Sequence, residues 1–113
     1  MRRKRLTQDP CPIARSLDVI GDWWSLLIVR EALSGTCRFS DFQQRLGLAR
    51  NILSTRLRNL VEAGVLETRP SPGRCDHNEY HLTDKGRRLQ PVLRALYTWG
   101  KENLFAADEA AAE

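Results

Sequence analysis

Asn51, Ser54, Thr55 and Arg58 recur at three- and four-residue spacing, which at 100° per residue puts them on one side of a helix. Their side chains suit the reading of DNA. Asn bonds adenine bidentately, Arg bonds guanine, and Ser or Thr matches a phosphate oxygen or a base edge. Leu53, Leu57, Leu60 and Val61 fall on the opposite side and supply a face to bury. A helix over about 50–63 divided in this way has what the major groove requires, with its N-terminal residues deepest in the groove and Glu62 at the far end. Arg50 opens the helix. Arg56, nearer the core edge, reads either as a phosphate clamp or as an internal ion-pair partner. Any solvated surface helix also shows a polar face, so the neighbouring elements carry the decision.

Arg38 and Ser40 stand before the preceding helix, where free backbone N–H groups can hold a phosphate. Arg74, His77 and Asn78 fall in or beside the turn-rich stretch PSPGRCDH, positioned to touch the DNA backbone or minor groove. Arg2, Arg3, Lys4 and Arg5 form a basic run that could enter a neighbouring minor groove or serve as a solubilising tail. Cys75, His77 and His81 spell C-x-H-x3-H, but without a CxxC pair they make a poor tetrahedral set, and no metal is assigned. The chain has no Gly-rich phosphate loop, no H-E-x-x-H and no Cys/His pair on rigid elements, so no enzyme and no cofactor is expected.

The elements that must position these residues follow from local signals. Pro12 starts a first helix that reaches Ile20, with Gly21 beyond it. Asp22 caps a second helix, WWSLLIVREAL, which is apolar nearly all round, as a central helix must be. Ser40 is expected to cap a third helix that ends at Gly47, and the fourth closes at Gly64. Val65–Arg69 and Glu79–Leu82 alternate as strands, with PSPGRCDH between them as a long, mobile hairpin tip. Thr83 caps a last stretch with an apolar stripe of Leu89, Val92, Leu93, Leu96, Trp99 and Leu104, which Pro91 should kink or divide near Gln90. The fold class is mainly α with a small β-hairpin, in the order α-α-α-α-β-β-α. That is a winged helix-turn-helix. Residues 1–10 read as a flexible basic arm, 11–105 as the folded domain with terminal dimerisation helices, and 106–113 as an acidic, Ala-rich tail.

The chain has 113 residues, a 42% hydrophobic and 28% charged composition, and a net charge of +4. This fits one globular domain. Residues 102–113 contribute four acids and no base, so residues 1–101 carry +8. Arg38, Arg50, Arg56, Arg58 and Arg74 all fall on the helix-turn-helix or the wing. A basic body favours a polyanionic partner, here double-stranded DNA. No apolar run approaches the ~20 residues of a membrane span, and no signal-peptide pattern follows the basic N-terminus, so no membrane partner is expected. Three widely spaced cysteines argue against a disulfide framework and for a reducing cytoplasm.

The strings CPIARSLDVIGDWWSLLIVREAL, RFSDFQQRLGLARNILSTRLRNLVEAGVL, EYHLTDKG and PVLRALYTWG, in that order, resemble the HxlR-type transcriptional regulators, relatives of the MarR type, over about residues 10–101. The resemblance implies a cytoplasmic homodimer joined through its first and last helices. Its two recognition helices would read a pseudo-palindromic operator, with repression by occlusion as the default. Ile13, Leu17, Val92, Leu93, Leu96 and Trp99 are the interface residues it points to. The apolar stripe of the last helix supports dimerisation independently. Cys11 falls where some members carry a cysteine that senses oxidants or electrophiles. A helix N-terminus can activate such a thiol, and the competing reading is a small hydrophobe at the interface. A small-molecule or oxidant effector follows from the same resemblance. Two departures stand out: Ala49 replaces the usual Ser or Thr cap of the recognition helix, and Trp23 replaces a Lys, where it could enlarge the core or line an effector pocket. A winged helix that docks only on protein is the rival function, and steep salt dependence of DNA binding would separate the two.

Overall fold

Pro12 occupies the first turn of α1 (Pro12–Ile20), where its missing N–H costs nothing, and the backbone N–H of Gly21 closes the helix on Leu17 O. Asp22 then caps α2 (Trp23–Leu33), its carboxylate accepting from the N–H groups of Trp24 and Ser25. α3 (Phe39–Leu46), α4 (Arg50–Glu62), β1 (Leu66–Ser71), β2 (Arg74–Leu82), α5 (Asp84–Arg87) and α6 (Gln90–Asn103) complete the order. This computed structural model describes residues 6–106, and only the backbone of residues 74–76. The expected winged helix-turn-helix is the observed one. Pro91 divides the last helical stretch as expected, leaving α5 and α6 separated at Arg88 and Leu89.

The core gathers Ile20, Ile28, Val29, Phe42, Leu48, Leu53, Leu57, Leu60, Val65, Leu66 and Leu82. α2 runs through the middle and packs against α1, α3, α4, β2 and α6. Its first residue does not join the core. Trp23 is 83% exposed, whereas Trp24 lies half-buried against the cluster.

Three local expectations are corrected. Arg38, not Ser40, is the N-cap residue of α3, without a side-chain capping bond. Its backbone is held extended by an antiparallel bridge to Glu79, so the helix starts two residues sooner and Ser40 falls inside the first turn. The hairpin has no long tip. β1 and β2 pair from Leu66↔Leu82 to Pro70↔Asn78, and after a shift of register Ser71 meets Arg74. Pro70 does not break the ladder because it lies on β1, an edge strand. The chain reverses at Pro72-Gly73, where glycine's φ of +75° makes the tight turn accessible. Residues 6–10 are not a free arm: Leu6 N donates to Asp18 Oδ1 (3.0 Å) and Arg15 Nε donates to Asp9 O. Arg2, Arg3, Lys4 and Arg5, and the acidic tail from residue 107 onward, lie outside the described residues.

Candidate nucleic-acid interface

α3 and α4 meet through a turn in which Gly47 is left-handed (φ +66°) and Leu48 is buried. Gln43 Nε2 donates to Leu48 O (3.3 Å) and steadies that turn. Ala49 is the N-cap residue of α4, its side chain making no capping bond, and neither Asn51 nor a shifted start replaces one. The helix is fixed by burial instead. Leu53, Leu57 and Leu60 are fully enclosed, a drive of ~1.5–3 kcal/mol per side chain against ~1 kcal/mol for a missing cap.

Burying that row leaves Arg50, Asn51, Ser54, Arg58 and Asn59 exposed on the other side. The Arg50 guanidinium stacks 5.0 Å from the Phe39 ring centroid, which ties the start of α4 to the start of α3. Thr55 is only half-exposed and its hydroxyl donates back to Asn51 O (3.0 Å), so its proton is less available to an outside acceptor than the helical wheel suggested. Arg56 takes the second of its two expected roles. Its guanidinium turns inward to Asp22 (3.4 Å), the residue that caps α2, and not toward the exposed face.

Arg38 lies 3.8 Å from Glu79 and remains half-exposed, while Ser40 is exposed on the first turn of α3. His77 and Asn78 are exposed on β2, toward the hairpin end. The side chain of Arg74, and with it that of Cys75, lies outside what the structure describes. α4, the first turn of α3 and the outer half of β2 are thus three segments that present donors to solvent.

Sequence reasoning missed a cluster at the base of the wing. Tyr80 N donates to Cys37 O (2.7 Å), which together with the Arg38–Glu79 bridge lays residues 37–38 along β2 as a minimal third strand. Cys37 Sγ, a Glu79 carboxylate oxygen and a His81 ring nitrogen come within 4.8 Å of one another. His81 Nε2 and Glu79 Oε1 are 2.8 Å apart. The hydrogen bond with His81 holds the Glu79 carboxyl below its ordinary value, against some opposition from desolvation. Burial, followed by the charge of Glu79, pushes the Cys37 thiol up. The alternation of Glu79 and His81 along a strand was visible in the sequence, but their approach to Cys37 depends on a long-range pairing.

Away from this side, Cys11 is exposed at the N-terminus of α1, its backbone N–H bound to Asp9 Oδ1 (2.9 Å). Ile13 (71%), Leu17 (51%), Val92 (41%), Leu96 (50%) and Trp99 (58%) are exposed on α1 and α6. Leu93 differs from them, being half-buried against the core of its own chain. An open groove of about 630 Å³ runs along α6 beside Pro91, Ala95 and Trp99. Among the described residues no helix is long and apolar enough to cross a membrane.

Comparison with known proteins agrees with this layout. Rv3095, an uncharacterized HTH-type transcriptional regulator of Mycobacterium tuberculosis, is 41% identical over 92 residues, which cover 81% of this chain and 58% of that relative's length. PA1607, a candidate transcription factor of known structure, is 56% identical and superposes with a TM-score of 0.87 over 91% of this chain and 72% of its own. The redox regulator HypR in its oxidized form is 30% identical, with a TM-score of 0.71 over 82% of this chain and 97% of its own. The HxlR-like helix-turn-helix profile matches residues 19–108, from the end of α1 past the last helix. With α2, the helix pair, the wing and α6 accounted for in one match, the chain belongs to the HxlR-like helix-turn-helix family.

Proposed function

We propose that this chain is a transcriptional regulator that binds double-stranded DNA sequence-specifically as a homodimer in the cytoplasm, and that it represses by occluding its operator. The observation that carries this reading is the division of α4, which buries Leu53, Leu57 and Leu60 and exposes Asn51, Ser54 and Arg58. Asn51 and Arg58 are the base readers. Arg50 and Ser40 serve phosphates, and Thr55 serves a phosphate or base edge when its bond to Asn51 O opens. Arg38, Arg74, His77 and Asn78 flank the duplex from the wing and its base. Arg56 acts on DNA indirectly, by holding α4 to Asp22. The exposed apolar residues of α1 and α6 supply the surface for a second copy. Two α4 helices about 34–36 Å apart would match a pseudo-palindromic site.

The test is a titration of genomic fragments, in particular the DNA beside the protein's own gene, at several salt concentrations. The expected result is a preferred fragment and an affinity that falls with salt at about −0.9 per neutralised phosphate. Flat salt dependence, or equal affinity for every fragment, would overturn the proposal and leave a protein-docking winged helix.

Thiol sensing through Cys11 is favoured by the exposure of that residue at the head of the proposed interface helix and by the likeness to the redox regulator HypR. A mild oxidant should release the operator from the wild type and not from Cys11→Ser. An unchanged response in that variant would make Cys11 structural and turn attention to a small-molecule effector in the α6 groove.

A further inference from the structure

We propose that Cys37, Glu79 and His81 form a binding site for a divalent transition-metal ion, best matched by Zn²⁺, at the base of the wing. The donors are a thiol, an imidazole and a carboxylate, the set that a borderline-soft cation takes. Their ligand atoms lie within 4.8 Å of one another. Around a tetrahedral zinc such atoms sit roughly 3.3–3.6 Å apart, so modest side-chain rotation closes the site.

The backbone beneath the donors is already fixed. Cys37 is pinned by the bond from Tyr80 N (2.7 Å), and residue 38 is bridged to Glu79. Glu79 and His81 are two residues apart on β2 and share a face. None of the three lies in the hairpin turn. His81, and Thr36 next to Cys37 in the chain, also line an open cavity of about 390 Å³.

Binding replaces the 2.8 Å contact between His81 and Glu79 with two metal bonds and displaces the Cys37 thiol proton to solvent. Thiol plus M²⁺ gives metal thiolate plus H⁺, with no change of oxidation state. Arg38, 3.8 Å from Glu79 Oε2, stays on the other carboxylate oxygen and orients it. Because the thiol must lose its proton to bind, binding weakens as pH falls. Metal binding would cross-link the α2–α3 connection to the wing.

The test uses the full chain, reduced and stripped of metal, carrying Cys11→Ser and Cys75→Ser so that Cys37 is the one thiol left of the three. Co²⁺ is the probe, because thiolate ligation gives a near-ultraviolet charge-transfer band. The expected band saturates at one ion per chain and is displaced by Zn²⁺. It disappears when Cys37→Ser is added. His81→Ala or Glu79→Gln should each weaken Co²⁺ by at least the 10–100-fold that even an outer-shell loss costs, or about 10–100-fold and more. A metal-dependent rise in Tm of the double variant provides a second reading that needs no further substitution. No charge-transfer band, a band that survives Cys37→Ser, or one indifferent to His81 and Glu79 would overturn the site. All of these readings are made without DNA, so the metal site can fail while DNA binding stands, and the reverse.

Discussion

The Asp22 carboxylate accepts from Trp24 N, Ser25 N and Ser25 Oγ at the head of α2, and it pairs with Arg56 of α4. Removing it should therefore cost more than removing its partner. Asp22→Ala is expected to lose about 1–2 kcal/mol in urea unfolding, and Arg56→Ala about 0.2–1 kcal/mol because the guanidinium remains one-third exposed. Arg58 should behave in the opposite way. Arg58→Ala leaves stability within about 0.5 kcal/mol but weakens the preferred DNA by about 1–3 kcal/mol and relaxes base preference. Equal loss on every sequence would make it a phosphate contact. Glu79 gives a pH signature. Its carboxyl titrates below the ordinary 4.5 in the fold, so its contribution is present above the unfolded value and is lost as pH falls through the folded one. Unfolding measured from about pH 6 to about pH 3 should show a decline that Glu79→Gln reduces. The sequence left Arg56 between two roles because the helical wheel puts it on the border of the buried face. Only packing α2 against α4 shows which neighbour it meets.

Helix ends were legible wherever their signals are local. Pro12, the Asp22 cap, Gly47 and Thr83 each act within one turn, and each stands where the sequence placed it. The start of α3 was not legible because it depends on residues 37–38 pairing with β2 from a distant part of the chain, and the length of the wing was not because the ladder runs on through residues whose types favour turns. The wing's root shows the same non-local control. Thr83 Oγ1 donates to Gly64 O and accepts from Gly86 N, while Lys85 Nζ donates to Ala63 O (2.7 Å). These contacts hold α5 against the end of α4. A Cβ at Gly86 would come 2.2 Å from Val65 O and 2.9 Å from Leu82 Cδ2. Gly86→Ala should thus be destabilising by roughly 1–3 kcal/mol in thermal or urea unfolding, through forced separation of α5 from Val65 and the end of β2. An unchanged Tm would mean that α5 moves away without cost.

At the scale of the molecule, α6 has no fully buried residue, yet it carries Val92, Leu96 and Trp99 in the open. A second copy would cover them. Sedimentation should report a dimer for the wild type, and Leu96→Glu with Trp99→Glu should give a monomer with unchanged helical circular dichroism. A dimer surviving both charges would move the interface elsewhere. That apolar stripe was legible as period, but the partial burial of Leu93 against its own core was not, because the sequence does not show which side α6 turns to α2. The concentration of arginine on the helix-turn-helix and wing was legible too, although Arg56 and Arg38 spend part of their charge on Asp22 and Glu79. α2, which touches α1, α3, α4, β2 and α6, has a mechanical consequence. It is the axle of the chain, and the Asp22 carboxylate at its tip engages α4. If two copies pair through α1 and α6 as proposed, the gauge between their α4 helices would be geared to the angle at which those outer helices meet. A slip at that seam would then widen or narrow the track on DNA.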